Sequence, residues 1–400
     1  MKPGVQARIV AAELVGRVDR HGAWSNVVSA QLDMGAEDAG LVRHLLYGTL
    51  RNRNRIDRAI DDLASRPIGS IHPEVLDVLR IAFHEVLFGR APAHAVADVA
   101  VEATRVAGHR NATGFVNAMV RNLQRGGEPT VPHGIGETLG IPQWLVADME
   151  AAWGQGPARE FFEKSHTDAK VGVRMRDPDA PRPPDLSETG VPDVYYLSAG
   201  HPPPGAIVQD PASAAVVVAL DPGPGDRVLD IGAAPGGKTL AVWDRRPETL
   251  LAIDVHPRRV VAGRRRTEAL GFGGSWIRAD GRRLPFAPQQ FDRVLLDAPC
   301  TGLGTLRRRP EILFKVSASE RDRLAALQRQ LLAAAREMVK PGGRLVYSVC
   351  TVTPAETVEV VAGLGGRPPQ GLPGSPAGEG WLMAPHLTGT DAMFITVFDR

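Results

Sequence analysis

The sequence predicts a doubly wound α/β domain with a mostly parallel sheet, preceded by an all-helical domain and a small α+β subdomain. Three observations carry that expectation. From residue 7 to about residue 125, apolar residues recur at helical spacing and no strand-like alternation interrupts them. Pro and Gly then become frequent up to residue 205. From about residue 206, short apolar runs alternate with helical stretches, the rhythm of strands and crossover helices in a parallel sheet. The expected parts are residues 1–128, 129–205 and 206–400, since 400 residues are too many for one ordinary domain.

In the helical part, Ile9, Leu14, Val15 and Val18 share one face, as do Leu41, Leu45 and Leu46. His72-Pro73-Glu74 is a good helix start, because Pro at the first helical position gives up an N–H that has no partner there. The stripe Leu76, Leu79, Ala82, Phe83, Val86 and Leu87 follows, and Gly89 and Pro92 stop it. Phe115, Met119 and Leu123 form the last stripe. Arg51, Arg53, Arg55 and Arg58 lie together, either as a solvated helix face or as a patch for phosphates. In the middle part, Pro181-Arg182-Pro183-Pro184 and Pro202-Pro203-Pro204 punctuate the chain. Residues 144–153 and 160–164 suit short helices, and the alternation over residues 170–176 predicts a strand. In the last part, strands are expected at 227–231, 250–254, 275–277, 293–297, 344–348 and 393–398. A helix is expected over 321–339 and a Pro/Gly-rich loop over 367–380.

Composition narrows the class. A chain 43% hydrophobic and 23% charged can bury sizeable cores. Its two cysteines, Cys300 and Cys350, cannot build a disulfide framework or a four-ligand zinc site by themselves. The longest nearly apolar run, 212–220, is far short of a membrane span, and no signal-peptide hydrophobic region follows the first residues. The expectation is a cytoplasmic protein with no membrane and no metal, whose lone cysteines are core residues or chemical tools. Net charge is +2, yet only six of the 47 basic residues are Lys. Arg is the better fork for phosphate and the better stacking plane for bases. With so little net charge, a nucleic-acid surface would have to come from local clusters.

The most informative loop is Asp230-Ile231-Gly232-Ala233-Ala234-Pro235-Gly236-Gly237-Lys238-Thr239, which follows an expected strand and opens a helix. Gly-rich turns of this kind let backbone N–H groups approach a ligand. The spacing is not that of a P-loop. Asp254 ends the next strand, about twenty residues on, where a carboxylate can accept from both ribose hydroxyls. Asp280 follows the third strand. The set suits a dinucleotide or S-adenosylmethionine.

Asp297-Ala298-Pro299-Cys300-Thr301-Gly302 lies at the carboxyl end of the fourth expected strand and Cys350 at that of the fifth, so both cysteines fall on one sheet edge. A thiolate near a methyl donor suggests pyrimidine chemistry. Carbon 5 of cytosine is a poor nucleophile, and thiolate addition to carbon 6 makes carbon 5 enamine-like and open to alkylation. An acid near ring nitrogen 3 would stabilise the adduct, and a base must then remove the carbon 5 proton. One carboxyl group and two cysteines meet these needs, and the residues alone do not say which cysteine attacks.

Asp-Ala-Pro-Cys-Thr-Gly with the downstream Ser348-Val349-Cys350-Thr351 resembles the RNA cytosine-5 methyltransferases of the Nop/Sun family. The loop 233–239, Gln209-Asp210-Pro211-Ala212-Ser213 and Arg307-Arg308-Arg309-Pro310-Glu311 resemble further segments of that family. Phe115-Val116-Asn117-Ala118-Met119-Val120-Arg121-Asn122 and the surrounding helices look like the NusB-like domain of its RsmB branch, which acts on 16S rRNA. The resemblance implies a Rossmann-like methyltransferase domain behind a NusB-like RNA-binding domain. It also implies S-adenosyl-L-methionine as cofactor and methylation of cytosine carbon 5 in RNA. In it Cys350 matches the attacking nucleophile, Cys300 the cysteine that resolves the adduct, and Asp297 the carboxyl that contacts the base near the cofactor. Gly232, Ala233, Ala234, Pro235, Gly236, Gly237, Lys238, Asp254 and Asp280 match the cofactor shell, with Asp280 near the adenine.

This chain departs from the family pattern at four places. Gly232 stands where many members have Cys, Thr351 where Ser is common, and Thr357 where Asn is usual. Asp391-Ala392-Met393-Phe394 is a looser Asp-Gly-Phe-Phe. Residues 301–340 hold nine Lys/Arg against four Asp/Glu, and Arg307, Arg308 and Arg309 are the expected contacts to RNA phosphates beside a flipped base. The alternatives are an inactive NusB-like ribosome-assembly factor, methylation of 23S rRNA or tRNA, and a nicotinamide-dependent oxidoreductase.

Overall fold

The computed structural model describes residues 4–89, 91–126, 134–177, 185–198 and 200–400. The expected boundary near residue 128 and the Pro181-Arg182-Pro183-Pro184 segment lie outside them. The chain groups into two compact units where the sequence suggests three parts. One comprises residues 1–147 with 306–315, and the other residues 148–305 with 316–400.

The first unit is all-helical. Its main helices are Val5–Arg20, Ala36–Arg51, Arg53–Leu63, Pro73–Phe88, Ala93–Val106 and Thr113–Gly126. Pro73 opens its helix and Gly89 caps it, as expected from the sequence. The apolar stripes converge on one core in which Leu45, Leu46, Leu79 and Phe83 are at most 1% exposed. Part of the arginine group 51–58 is occupied inside this unit. Arg53 pairs with Asp19 and Asp57, and Arg55 lies 4.8 Å from the centre of the Phe88 ring. Arg51 donates to the carbonyl of Arg307 at 3.1 Å.

Residues 306–315 pack into this unit although they are distant in sequence. Glu311 is fully buried and accepts from the N–H of Ser25 at 2.8 Å and from its hydroxyl at 2.9 Å. It thereby satisfies the first turn of the short helix Ser25–Ser29, whose N–H groups have no partner within the helix. The Lys315 ammonium donates to the carbonyls of Gly22 and Ala23 just before it.

The second unit holds two sheets. Strands β1 (Val171–Met175), β2 (Leu186–Glu188), β3 (Val194–Leu197) and β4 (Ala206–Val208) form a small antiparallel sheet in the order β2-β3-β1-β4. The large sheet contains β5 (Arg227–Ile231), β6 (Thr249–Asp254), β7 (Ser275–Arg278), β8 (Phe291–Asp297), β9 (Val339–Val349), β10 (Ser375–Ala377), β11 (Gly380–Met383) and β12 (Met393–Asp399). Its order is β10-β11-β12-β9-β8-β5-β6-β7. Strands β5 to β9 are parallel, and β12, β11 and β10 extend them antiparallel. The parallel strands are apolar in sequence because both faces are covered.

One local reading changes. The expected loop 367–380 contains β10, whose ladder to β11 a Pro/Gly-rich sequence does not advertise. The apolar run 212–220 lies in the helix Pro211–Leu220, which is buried nearly all round and so shows no amphipathic stripe. Asp210 caps it by accepting from the N–H of Ala212 at 2.9 Å. Glu311→Ala should destabilise the helical unit by about 1–3 kcal/mol, because it orphans two buried donors at Ser25. Denaturant unfolding of the full chain, followed by a probe in residues 5–125, measures this, and an unchanged midpoint would refute it.

Candidate active site

Strand order reverses at β5, which pairs with β6 on one side and β8 on the other. In open α/β sheets this opens a crevice at the carboxyl ends of the strands. The glycine-lined loop leaves β5 there, and the N–H groups of Gly232 and Ala233 both donate to the Ile253 carbonyl at 3.0 Å. Gly232 has φ +79°, and a Cβ on it would stand 2.3 Å from the carbonyl oxygen of Asp297. The departure from Cys at this position therefore suits the local backbone: glycine alone passes so close to the end of β8. Asp230 is fully buried and accepts from Thr239 Oγ1 at 2.6 Å, while its Oδ1 has no hydrogen-bond partner. Burial pushes its carboxyl up to about 7, against the Thr239 hydrogen bond.

Asp254 ends β6 almost fully buried, and its Oδ1 accepts from the N–H of His256 at 2.9 Å. The Arg259 guanidinium lies 3.5 Å from its Oδ2. Asp280 follows β7 and binds Arg282 at 2.7 Å; the Arg282 side chain and N–H hold its carboxyl below the usual range. Two glycines at positive φ, carboxylates at successive strand ends and a buried unpaired oxygen form a polar, close-approach crevice. Such a crevice fits a nucleoside cofactor.

The neighbouring strand ends carry sulfur. Strands β8 and β9 pair in parallel with Asp297 opposite Ser348, and the Ala298 N–H donates to the Ser348 carbonyl at 2.9 Å. This register brings Cys300 Sγ to 3.4 Å from Cys350 Sγ, with neither in a disulfide. Cys300 is pushed well above the usual thiol range, first by its hydrogen bond with Cys350, then by burial and by the charges of Cys350 and Glu356. The shift favours the protonated form of Cys300. Lys238 Nζ donates to Asp297 Oδ2 at 2.7 Å, and Ser348 Oγ donates to Asp297 Oδ1 at 3.2 Å. Burial works to lower the Lys238 ammonium, but Asp297, with help from Cys350 and Asp230, outweighs it and the net shift is upward. A stable cation thus stands within electrostatic reach of Cys350.

Two features were not singled out from the sequence. Glu356 is fully buried and accepts from residues of both cysteine turns. Its local hints are the Thr-rich turn just after Cys350 and its place before Thr357, in the segment where the family usually has Asn after Glu. Gly304 donates to the Cys350 carbonyl at 3.0 Å, and a Cβ on it would meet the Ala392 carbonyl at 2.4 Å. The loose motif 391–394 therefore backs the cysteine turns. The basic segment requires a correction. Arg307 is only 7% exposed and cannot hold a phosphate from solvent without moving. Arg308 and Arg309 are half-buried, and Arg309 lies 5.8 Å from the centre of the Trp24 ring.

A doubly wound sheet with a glycine-lined loop after its first strand and carboxylates at the next strand ends defines a Rossmann-like domain for a nucleoside cofactor. Comparison with known proteins agrees. The sequence model for "16S rRNA methyltransferase RsmB/F" matches residues 217–371, and that for the NusB family matches residues 5–125. The chain is 30% identical to ribosomal RNA small subunit methyltransferase B of Vibrio cholerae, over 98% of this chain and 96% of the relative. The crystal structure of PH0851 superposes with TM-score 0.82 over 100% of this chain and 99% of its own, at 22% identity. The structure of NSun6 from Pyrococcus horikoshii, solved with the S-adenosylmethionine analogue SFG, covers 65% of this chain and 98% of its own with TM-score 0.55 at 19% identity. The chain belongs to the RsmB/F family of ribosomal RNA methyltransferases. Its cofactor is S-adenosyl-L-methionine, not a dinucleotide, and it is an RNA methyltransferase.

Because the Asp230 carboxyl is raised, the folded state holds a proton that the unfolded chain releases near pH 4. The stability this contributes is complete below that pH and is lost as pH rises through about 7. Asp230→Asn keeps an acceptor for Thr239 and should remove on the order of 2–3 kcal/mol of the stability difference between pH 5 and pH 8. Denaturation midpoints at the two pH values, compared with the parent protein, test this; equal slopes would refute it.

Proposed function

We propose that this protein methylates carbon 5 of a cytosine in 16S rRNA, in the cytoplasm, through a covalent adduct between Cys350 and carbon 6. The observation that carries this reading is the Cys300–Cys350 contact of 3.4 Å beside the Lys238–Asp297 pair, at the edge where the cofactor loop leaves the sheet. S-adenosylmethionine supplies an electrophilic methyl group when bound. Gly232, Ala233, Ala234, Pro235, Gly236 and Gly237 would hold it by their backbone, Asp254 by its carboxylate toward the ribose, and Asp280 near the adenine.

The Cys350 thiolate forms a sulfur–carbon bond at carbon 6, and the ring electrons move toward carbon 5 and nitrogen 3. Asp297, hydrogen-bonded to Lys238, contacts the base at ring nitrogen 3 and so supports the adduct. Carbon 5 would take the methyl group from the sulfonium, whose sulfur–methyl bond breaks to leave a neutral thioether, and carbon 5 then bears both a methyl group and a hydrogen. Once the Cys350 sulfur is a thioether, it no longer carries the charge that pushes the Cys300 thiol up. Cys300 can then lose its proton to solvent and act as the base that takes the carbon 5 proton, while the carbon 6–sulfur bond breaks and frees Cys350. A target base must leave its stack to reach these thiols, and Arg308 and Arg309 are candidates for the flanking phosphates.

Cys350→Ala should abolish methyl transfer to unmodified 16S rRNA and form no adduct. Cys300→Ala should trap a protein–RNA adduct visible by denaturing electrophoresis. An adduct formed by Cys350→Ala would exchange the two roles. Bisulfite sequencing of rRNA from a deletion strain should show loss of 5-methylcytosine at a 16S site; loss confined to 23S rRNA or tRNA would move the substrate.

A further inference from the structure

The two cysteine turns are not joined only by the β8–β9 ladder. A single carboxylate ties them at the residue after each thiol. Glu356 Oε1 accepts from the Thr301 N–H at 2.8 Å and from Gln328 Nε2 at 3.2 Å. Its Oε2 lies 2.6 Å from Thr301 Oγ1 and 3.0 Å from both Thr351 Oγ1 and Thr353 Oγ1. The Thr301 and Thr351 hydroxyls are themselves 2.7 Å apart. An outer layer steadies the carboxylate. Gln328 also donates to the Pro299 carbonyl at 2.9 Å, and Tyr347 donates to the Glu356 backbone carbonyl at 2.9 Å. The carboxylate and its threonine partners are buried, with Glu356 and Thr351 fully so.

A buried carboxylate is expensive unless its lone pairs are met, and here they are met by donors drawn from both turns. Removing the acceptor would orphan the Thr301 N–H, one residue from Cys300, and free both turns at once. The charge also acts unequally. Glu356 raises the cost of ionising Cys300, whereas Cys350 is the sulfur that acts on the Lys238 ammonium.

We propose that Glu356 is the positioning residue of this site. It locks the two cysteine turns in register through Thr301, Thr351 and Thr353, so that Cys350 is presented as the nucleophile. This rests on the reading of Cys350 given above. The Glu356 side chain touches neither methyl donor nor base; it acts through Thr301, Thr351 and Thr353. The Thr for Ser departure at position 351 preserves the hydroxyl that it uses.

The test is alkylation of the full chain with iodoacetamide between pH 6 and pH 9, each thiol being quantified by mass spectrometry, alongside steady-state methyl transfer. The parent protein should label Cys350 before Cys300. Glu356→Gln, close in volume but uncharged, should shrink that preference by about tenfold, as expected for loss of one close charge. It should also lower kcat by about 10- to 100-fold through misplacement of the turns, with KM for S-adenosylmethionine unchanged. Glu356→Asp should recover part of the labelling preference. Should Glu356→Gln fail to fold, Thr351→Val, which removes one hydroxyl from the carboxylate, should move both readouts the same way by less. A folded Glu356→Gln with the parent's labelling preference and pH profile would overturn the proposal, as would an unaltered Thr351→Val. A changed labelling preference in a protein that transfers no methyl group to RNA would support the role of Glu356 while overturning the functional reading.

Discussion

The parallel pairing of β8 with β9 is the constraint on which the site depends. Asp297 opposite Ser348 is a backbone register, and shifting it by one residue would turn every side chain to the other face. With this register, two thiols fifty residues apart in the chain stand 3.4 Å from each other. Everything chemical at this edge follows from that approach. Two sulfurs so close cannot both ionise cheaply, so one must hold a proton while the other serves as nucleophile. The surroundings break the tie: Lys238 responds to Cys350, and Glu356 stands against ionisation of Cys300.

Four carboxylates around the sheet edge show how environment divides one functional group among several tasks. Asp230 is buried with one oxygen unpaired and is pushed toward the neutral form. Asp297 is paired with an ammonium and half-open to the crevice. Asp254 is bound by a backbone N–H and faces a guanidinium. Glu356 is saturated by donors and works as a tie. The residue type is nearly constant; desolvation and the number of donors supplied decide the role.

The segment 306–315 illustrates what charge counting leaves out. Its composition advertises a basic surface, yet Arg307 is buried, and Glu311, the segment's single acid, makes the deepest polar contacts in it. Burial of Arg307 and Glu311 makes this segment part of the helical unit's own packing. Counts of charge along the chain cannot distinguish a solvated side chain from one whose partners lie nearly three hundred residues away.

The sequence by itself determined the helical stripes, the parallel strands, the glycine-lined turn and the placement of both cysteines at strand ends. These are local consequences of period, of Pro and Gly geometry and of apolar runs, so they can be read without a partner. It did not disclose β10 beneath its Pro/Gly content, nor the all-round burial of the helix Pro211–Leu220, because neither follows a local period. The tertiary structure alone decided which groups meet: Lys238 with Asp297, Thr301 and Thr351 with Glu356, and Glu311 with Ser25. Apart from the local Thr351–Glu356 bond, each of those contacts joins segments distant in the chain. Hydrogen bonding and desolvation act between atoms near in space, and a linear pattern of residue types carries no record of that distance.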